Sequence, residues 1–359
     1  MSREKLIQAF GHGVAETVTQ PIDSPLLTTR EGWDLAASRR LVAPKRADWG
    51  PKATKDTLVG PRDPRLIYHA EMLPVLTPAL WLGLLDARRQ LRKNRFRSIG
   101  RATDMIIDGD RGTGKTTLLV QIGRGFQGLI ESDLGPDPNR IPVIYITAPP
   151  ERESNLDWSL PFAEFLGLNH TVNPDNRNRR TADMTDPVAH VMRQAKTKLV
   201  LIDGINRIQD NEIGAAFRYF EALQDSTNTT FVFCGTGARE IVHEARNDKR
   251  RKNLPDAVKS KAAFSDLPVL WAGHIPYGAD WHSVVKGFDD DLCLHDHQPD
   301  SLLKLSRYLH KRTDGYISAL SDLICQAAQE AIETAGKTGV EAITKELLDD
   351  IRIGRGDSR

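Results

Sequence analysis

The chain has 359 residues, of which 40% are hydrophobic and 27% charged, with 49 Lys+Arg against 48 Asp+Glu and a formal net charge of +1. That balance excludes wholesale disorder, predicts about two or three folded units, and leaves no whole-chain field for nucleic acid, so any such contact must come from local basic patches. No apolar run approaches the roughly 18 residues of a membrane helix, the N-terminal MSREKLIQAF lacks a secretory layout, and the cysteines (Cys234, Cys293, Cys325) are too dispersed for a disulfide framework. A cytoplasmic protein with no membrane partner is expected.

In chain order, residues 1–66 read as an irregular, partly ordered N-terminal arm, rich in Pro, Gly and charge. From Ile67, YHAEMLPVLTPALWLGLLDARRQLRKN has helical periodicity broken near Pro78, which predicts two helices or one kinked helix. Its end is basic: Arg88, Arg89, Arg92, Lys93, Arg95, Arg97 and Arg101 offer either a solvated face or contacts to a phosphate backbone. The short apolar runs MIID, PVIYIT, KLVLID and TTFVFCGT follow, separated by a glycine loop and by the helical segments TTLLVQIGRGFQGLI, LPFAEFLGL, VAHVMRQAK and IGAAFRYFEALQ. Four buried strands alternating with helices predict an α/β fold with a doubly wound parallel sheet. Beyond Gly235 the chain reads as a basic loop (AREIVHEARNDKRRKNLPDAVKSK), then VLWAGHIPYGADW, then helices in LLKLSRYLHKR, ISALSDLICQAAQEAIETAG and TKELLDDIRI. The expected division is an arm over 1–66, a nucleotide-binding α/β domain over 67–270 and a C-terminal helical lid over 271–359.

The loop after MIID, Gly109-Asp110-Arg111-Gly112-Thr113-Gly114-Lys115-Thr116, fits GxxxxGK[ST] between a strand and a helix. Glycines let backbone N–H groups turn inward around phosphates, and the following helix adds its positive end. Lys115 is expected to reach the β- and γ-phosphates of ATP, Thr116 to offer its hydroxyl to Mg²⁺, and Thr117 to complete the nucleotide-binding set. A second acid is needed for Mg²⁺ at the tip of a strand beside the P-loop strand, and KLVLID ends in Asp203, after enough chain for a helix, an additional strand and a second helix. Gly204 follows where a water-orienting Glu is usual, so hydrolysis should be slow unless Asp210, Glu212 or a partner supplies a base. Thr236, just past a strand tip, is placed to sense the γ-phosphate or to form a simple turn. The cluster of Arg246, Lys249, Arg250, Arg251 and Lys252 suggests an arginine finger acting in trans (Arg250 or Arg251), a DNA contact, or a solvated loop. Cys293, His295 and His297 have the look of a metal cluster but no second ligand pair.

Taken together, YHAEMLP, IIDGDRGTGKTT, PVIYITAPPE, KLVLIDGINRI, FVFCGTGAREIV, FSDLPVLW and KRTDGYISALSDLICQAAQEAI resemble, in order, the TniB and TnsC families of AAA+ transposition ATPases, across about residues 67–350. Two features depart from that pattern. The second motif is Asp203-Gly204-Ile205-Asn206 in place of an acidic pair, and no arginine stands in Tyr316-Ile317-Ser318-Ala319-Leu320 at the start of the late helix. The resemblance implies an AAA+ P-loop NTPase that forms a homo-oligomeric ring or filament on double-stranded DNA in an ATP-dependent manner and contacts a transposase and a target-site factor. The competing expectations are a signalling or defence switch acting on a protein without DNA and, more remotely, a small-molecule kinase.

Overall fold

The computed structural model describes residues 26–39, 41–57, 59–60, 62–70, 72, 75, 77–97, 102–148, 158–168, 182–246, 269–272 and 274–353. Contacts divide the chain into two compact units, Pro25–Arg39 with Pro78–Gly273, and Arg40–Thr77 with His274–Arg359.

The first unit is built on five strands, β1 (Met105–Gly109), β2 (Val143–Thr147), β3 (Leu199–Asp203), β4 (Thr230–Cys234) and β5 (Val269–Ala272), all parallel in the order β2-β3-β4-β1-β5. β1 to β4 are almost wholly buried, as the unbroken apolar runs predict for strands covered on both faces. Helices α1 (Arg30–Ser38), α3 (Pro78–Arg95), α4 (Lys115–Leu134), α5 (Ser159–Phe165), α6 (Ala182–Gln194), α7 (Asp210–Thr227) and α8 (Ala238–Arg246) surround the sheet. Phe231 and Phe233 of β4 pack on Phe217 and Phe220 of α7. Leu201 of β3, in register with Val232, instead faces Gly123 of α4. Val232 alternates with the two phenylalanines along β4, so α4 and α7 cover opposite faces and the sheet is doubly wound.

In the second unit, α2 (Pro64–Ala70) packs with α9 (Ala279–Asp290), α10 (Ser301–Lys304), α11 (Ser306–Thr313), α12 (Ile317–Thr338) and α13 (Lys345–Asp350) around Trp281, Phe288, Leu309, Leu320, Leu323 and Ile324. Arg65, fully buried, bridges Asp63 (Nη2 to Oδ2, 2.8 Å) and Glu341 (Nη1 to Oε1, 2.6 Å), fastening α2 to the loop before α13.

Several expectations change. The break near Pro78 yields two separate helices, α2 and α3, with Pro78 in the first turn of α3, where its missing N–H costs nothing. The span read as an arm contains α1, whose Trp33 is 1% exposed and belongs to the sheet unit's core, while residues 41–70 join the helical unit. AREIVHEAR, read as loop, is α8. A fifth strand, β5, formed by the first residues of VLWAGHIPYGADW, pairs with β1, and α9 follows it. Finally, β3 does not lie beside β1, because β4 stands between them.

Candidate functional site

The glycine loop joins β1 to α4. Gly109, Gly112 and Gly114 take φ of 144°, 78° and 88°, values that side-chain-bearing residues rarely adopt, so the loop's course depends on glycine. Asp110 and Arg111 are exposed at its outer turn, and Thr113 is buried, its hydroxyl donating to the Asp110 carbonyl at 2.7 Å. Lys115 Nζ donates to the same carbonyl at 2.5 Å. No side chain caps α4, whose N-cap is Gly114, so the first-turn N–H groups of a 20-residue helix have no side-chain acceptor at the cap and present a positive pole. Thr116 and Thr117 lie in that turn. Burial pulls the pKa of Lys115 below the usual lysine range, against the pull of nearby Asp108, Asp110 and Asp203.

Asp203 ends β3, and its Oδ2 accepts two hydroxyls at 2.9 Å, from Thr116 and from Tyr145 of β2. The sheet thus brings Thr116 and Asp203 together even though their strands are not neighbours. In the intervening strand Cys234 is in register with both Asp203 and Ile107, and burial foremost, then the charge of Asp203, pushes its thiol pKa up. Thr236 is exposed in the turn after Cys234, so sheet order presents that turn between the ends of β1 and β3. Gly204 has φ 71° and opens a short 3-10 turn, Ile205–Arg207; a Cβ there would stand 3.2 Å from Arg207 Nε. Asp210 and Glu212 occupy the first turn of α7.

Two site residues escaped sequence reasoning. Asp108, 3% exposed, accepts the Gly109 N–H at 2.7 Å with Oδ1 and the Arg239 N–H at 3.1 Å with Oδ2, tying the P-loop strand to the start of α8. Its signal was an acid inside the apolar run MIID. Tyr145 was the one hydroxyl-bearing aromatic of PVIYIT, and only the β2–β3 pairing reveals its carboxylate.

Arg250 and Arg251 lie outside the described residues, as do Lys249 and Lys252, while Arg246 ends α8. On α3, Arg88, Arg89, Arg92, Lys93 and Arg95 are exposed, with Arg97 just beyond. Cys293, His295 and His297 point elsewhere than to a shared centre. The Cys293 N–H donates to His69 Nε2 (3.1 Å), His295 Nε2 lies 3.0 Å from the Gly50 carbonyl, and His297 Nδ1 lies 3.2 Å from the Ser301 hydroxyl. Among the described residues no group of three or more His, Cys, Asp or Glu could hold a metal ion.

The donors at the P-loop are a hydroxyl and a carboxylate oxygen beside an ammonium and an uncapped helix start. This set suits a small hard cation carried in by a polyphosphate, so the residues present fit Mg²⁺. Among the described residues no helix is long and apolar enough to cross a membrane.

Residues 100–241, which hold the P-loop, Asp203 and Thr236, match the family model described as AAA domain. With the parallel sheet and the loop geometry, this gives the sheet unit an α/β P-loop NTPase fold in which residues 100–241 correspond to an AAA domain. No curated protein matches the chain by sequence. Among solved structures the chain is similar to domain III of the replication initiation protein DnaA of Thermotoga maritima, at 18% identity and TM-score 0.43, covering 77% of this chain and 91% of that one. It is also similar to Aeropyrum pernix ORC1 in complex with DNA (16% identity, TM-score 0.49, 77% and 65% covered) and to C. elegans PCH-2 (14%, 0.38, 75% and 65%). The chain therefore spans just under two thirds of the latter two.

Proposed function

We propose that this protein is an ATP-dependent regulator of DNA transposition, an AAA+ switch that assembles as a homo-oligomer on double-stranded DNA in the cytoplasm and there engages a transposase and a target-site factor. The observation that carries the reading is the junction of P-loop and acid, where Thr116 bonds Asp203 at 2.9 Å beside Lys115 and the uncapped start of α4. In this reading the backbone from Gly109 to Gly114 cradles the phosphates, Asp110 and Arg111 flank the entrance, and Thr113 braces the loop. Lys115 binds the β- and γ-phosphates, Thr117 lies along the first turn, and Thr116 and Asp203 hold Mg²⁺. When bound, Mg²⁺ neutralises phosphate charge and orients the γ-phosphoryl group. Thr236 senses that group from the β4 turn, and Arg250 or Arg251 completes the site of a neighbouring subunit.

Two features favour a switch over a fast motor. Gly204 brings no carboxylate to orient water, and its left-handed backbone disfavours any side chain there, so bound ATP persists and signals occupancy. The exposed basic row of α3 supplies sequence-tolerant phosphate contacts that become strong only when subunits repeat them along a duplex. The transposition context rests on the ordered resemblance of motifs to the TniB and TnsC families.

The test is fluorescence anisotropy of a labelled duplex across a salt series, with and without ATP. Binding that needs ATP, tolerates sequence change and weakens steeply with salt is expected. Replacing Arg88, Arg92 and Lys93 with Ala, or Lys249, Arg250 and Arg251, should lower affinity uniformly across sequences and flatten the salt slope. No binding at low salt with ATP present would favour a switch acting on protein alone, and binding indifferent to ATP would refute the coupling.

A further inference from the structure

The carboxylate of Asp203 is held from two directions by elements of different character. Thr116 approaches on the P-loop helix, at the end of a glycine-dependent loop. Tyr145 approaches on β2, inside the sheet, where it is 3% exposed. The β2–β3 register sets Thr147 against Asp203 and Tyr145 against Leu201, so the alternation of the strands puts Tyr145, Leu201 and Asp203 on one face. The phenol reaches along that face to Oδ2 at 2.9 Å.

What backs the ring is α1. Trp33 stacks on Tyr145 with centroids 5.7 Å apart and planes within 10°. Its indole N–H donates to Gln127 Oε1 of α4 at 2.6 Å, itself a buried residue. The same indole fills the space left by Gly123, where a Cβ would meet Trp33 Cη2 at 2.5 Å and Leu201 Cδ1 at 2.6 Å. α1 begins with a capped turn, the Thr29 hydroxyl accepting the Gly32 N–H at 3.2 Å, so the tryptophan is delivered by a defined helix. The chain of contacts runs from α1 through Trp33 and Tyr145 to the acid.

We propose that Tyr145 is a positioning residue for Asp203, braced by Trp33, so that α1 is a working part of the nucleotide site. The proposal rests on the reading that Thr116 and Asp203 take Mg²⁺ with ATP. A donor fixed in the sheet keeps Asp203 aimed, and a pre-aimed carboxylate loses less rotamer freedom when a cation arrives. Thr116 alone would not do this, because it stands at the first turn of α4, just after the glycine-dependent loop, and not in the sheet that carries Asp203.

Tyr145→Phe keeps the ring and the stack and removes only the hydroxyl. Binding of a fluorescent ATP analogue is measured with EDTA and then across a Mg²⁺ titration, for wild type, Tyr145→Phe and Trp33→Phe. Expected for Tyr145→Phe is binding in EDTA within about twofold of wild type and a Mg²⁺ midpoint raised about tenfold, the usual scale of one hydrogen bond to a charged group. Trp33→Phe, which withdraws the stacked indole and its bond to Gln127, should shift the midpoint in the same direction. An unchanged midpoint in Tyr145→Phe would overturn the proposal, and so would an equal loss of binding with and without Mg²⁺, which would mark the tyrosine as structural only. Failure of the wild-type protein to bind the analogue under any condition would instead bring down the nucleotide reading on which this one rests.

Discussion

Acidification from pH 7 to pH 5 is expected to destabilise the helical unit through one buried imidazole. His69 of α2 is completely buried; its Nδ1 donates to the Arg65 carbonyl at 2.7 Å and its Nε2 accepts the Cys293 N–H at 3.1 Å. Both ring nitrogens are satisfied only in the neutral Nδ1–H form, and a proton on Nε2 would face a donor. Burial foremost drives the pKa down to about 4; the hydrogen bond to Arg65 and the charge of Asp63 oppose this, and the Arg65 charge reinforces it. An unfolded histidine titrates near 6.5, so between the two values the unfolded chain binds the extra proton and stability rises with pH. The contribution is present above about pH 6.5 and disappears as pH falls toward 4. At pH 5 nearly the whole unfolded ensemble is protonated and little of the folded one, which amounts to a loss of about 2 kcal/mol relative to pH 7. Urea titrations followed by circular dichroism at pH 5, 6 and 7 measure it, with His69→Gln as reference. The variant is less stable throughout but carries no titrating group there, so its stability should fall by about 2 kcal/mol less than wild type over this range. Parallel pH dependences for the two proteins would refute the reasoning.

Arg65→Met should destabilise the same unit by about 3–5 kcal/mol, because Asp63 and Glu341 would remain buried without their cation, and Glu341 Oε2 has no hydrogen-bond partner among the described residues; a urea midpoint within error of wild type would contradict this. Adding Glu341→Gln to that variant should recover part of the loss, read in the same titration. Gly204→Ala is expected to cost about 1–2 kcal/mol from its left-handed backbone, and Gly204→Glu to meet the same strain; a thermal melt unchanged by Gly204→Ala would show the turn to be tolerant. Hydrolysis by the wild type, followed by phosphate release, should fall below the common enzyme range of about 1–1000 per second, and turnover inside that range would identify a base that Gly204 does not supply.

The P-loop was legible because its chemistry is local: glycine positions, lysine and hydroxyl follow one another in the chain, and the flanking periodicities change from strand to helix. Asp203 was legible as the polar end of an apolar run, and β1 to β4 as runs bounded by turns. What sequence could not supply was adjacency. β4 inserts between β1 and β3, a matter of crossover choice that no local pattern encodes, and Tyr145 meets Asp203 only through strand register. Trp33 stood in a span dense with Pro, Gly and charge, and its helix is specified by a tertiary slot between Gly123 and Tyr145 more than by its own periodicity. β5 is four residues long, too short to assert a period, and α8 was obscured by the glycines before it and the basic residues after it. The buried Arg65 gave no sign, since a cation in a helix ordinarily reads as surface.

The central claim is that the loop from Gly109 to Thr116, with Asp203, binds Mg²⁺–ATP, and titration calorimetry of the full chain tests it most directly. Wild type should bind ATP more tightly with Mg²⁺ than with EDTA, Lys115→Ala should abolish binding in both, and Asp203→Asn should remove the Mg²⁺-dependent gain while leaving the EDTA value nearly unchanged. Wild-type affinity in Lys115→Ala would contradict the account.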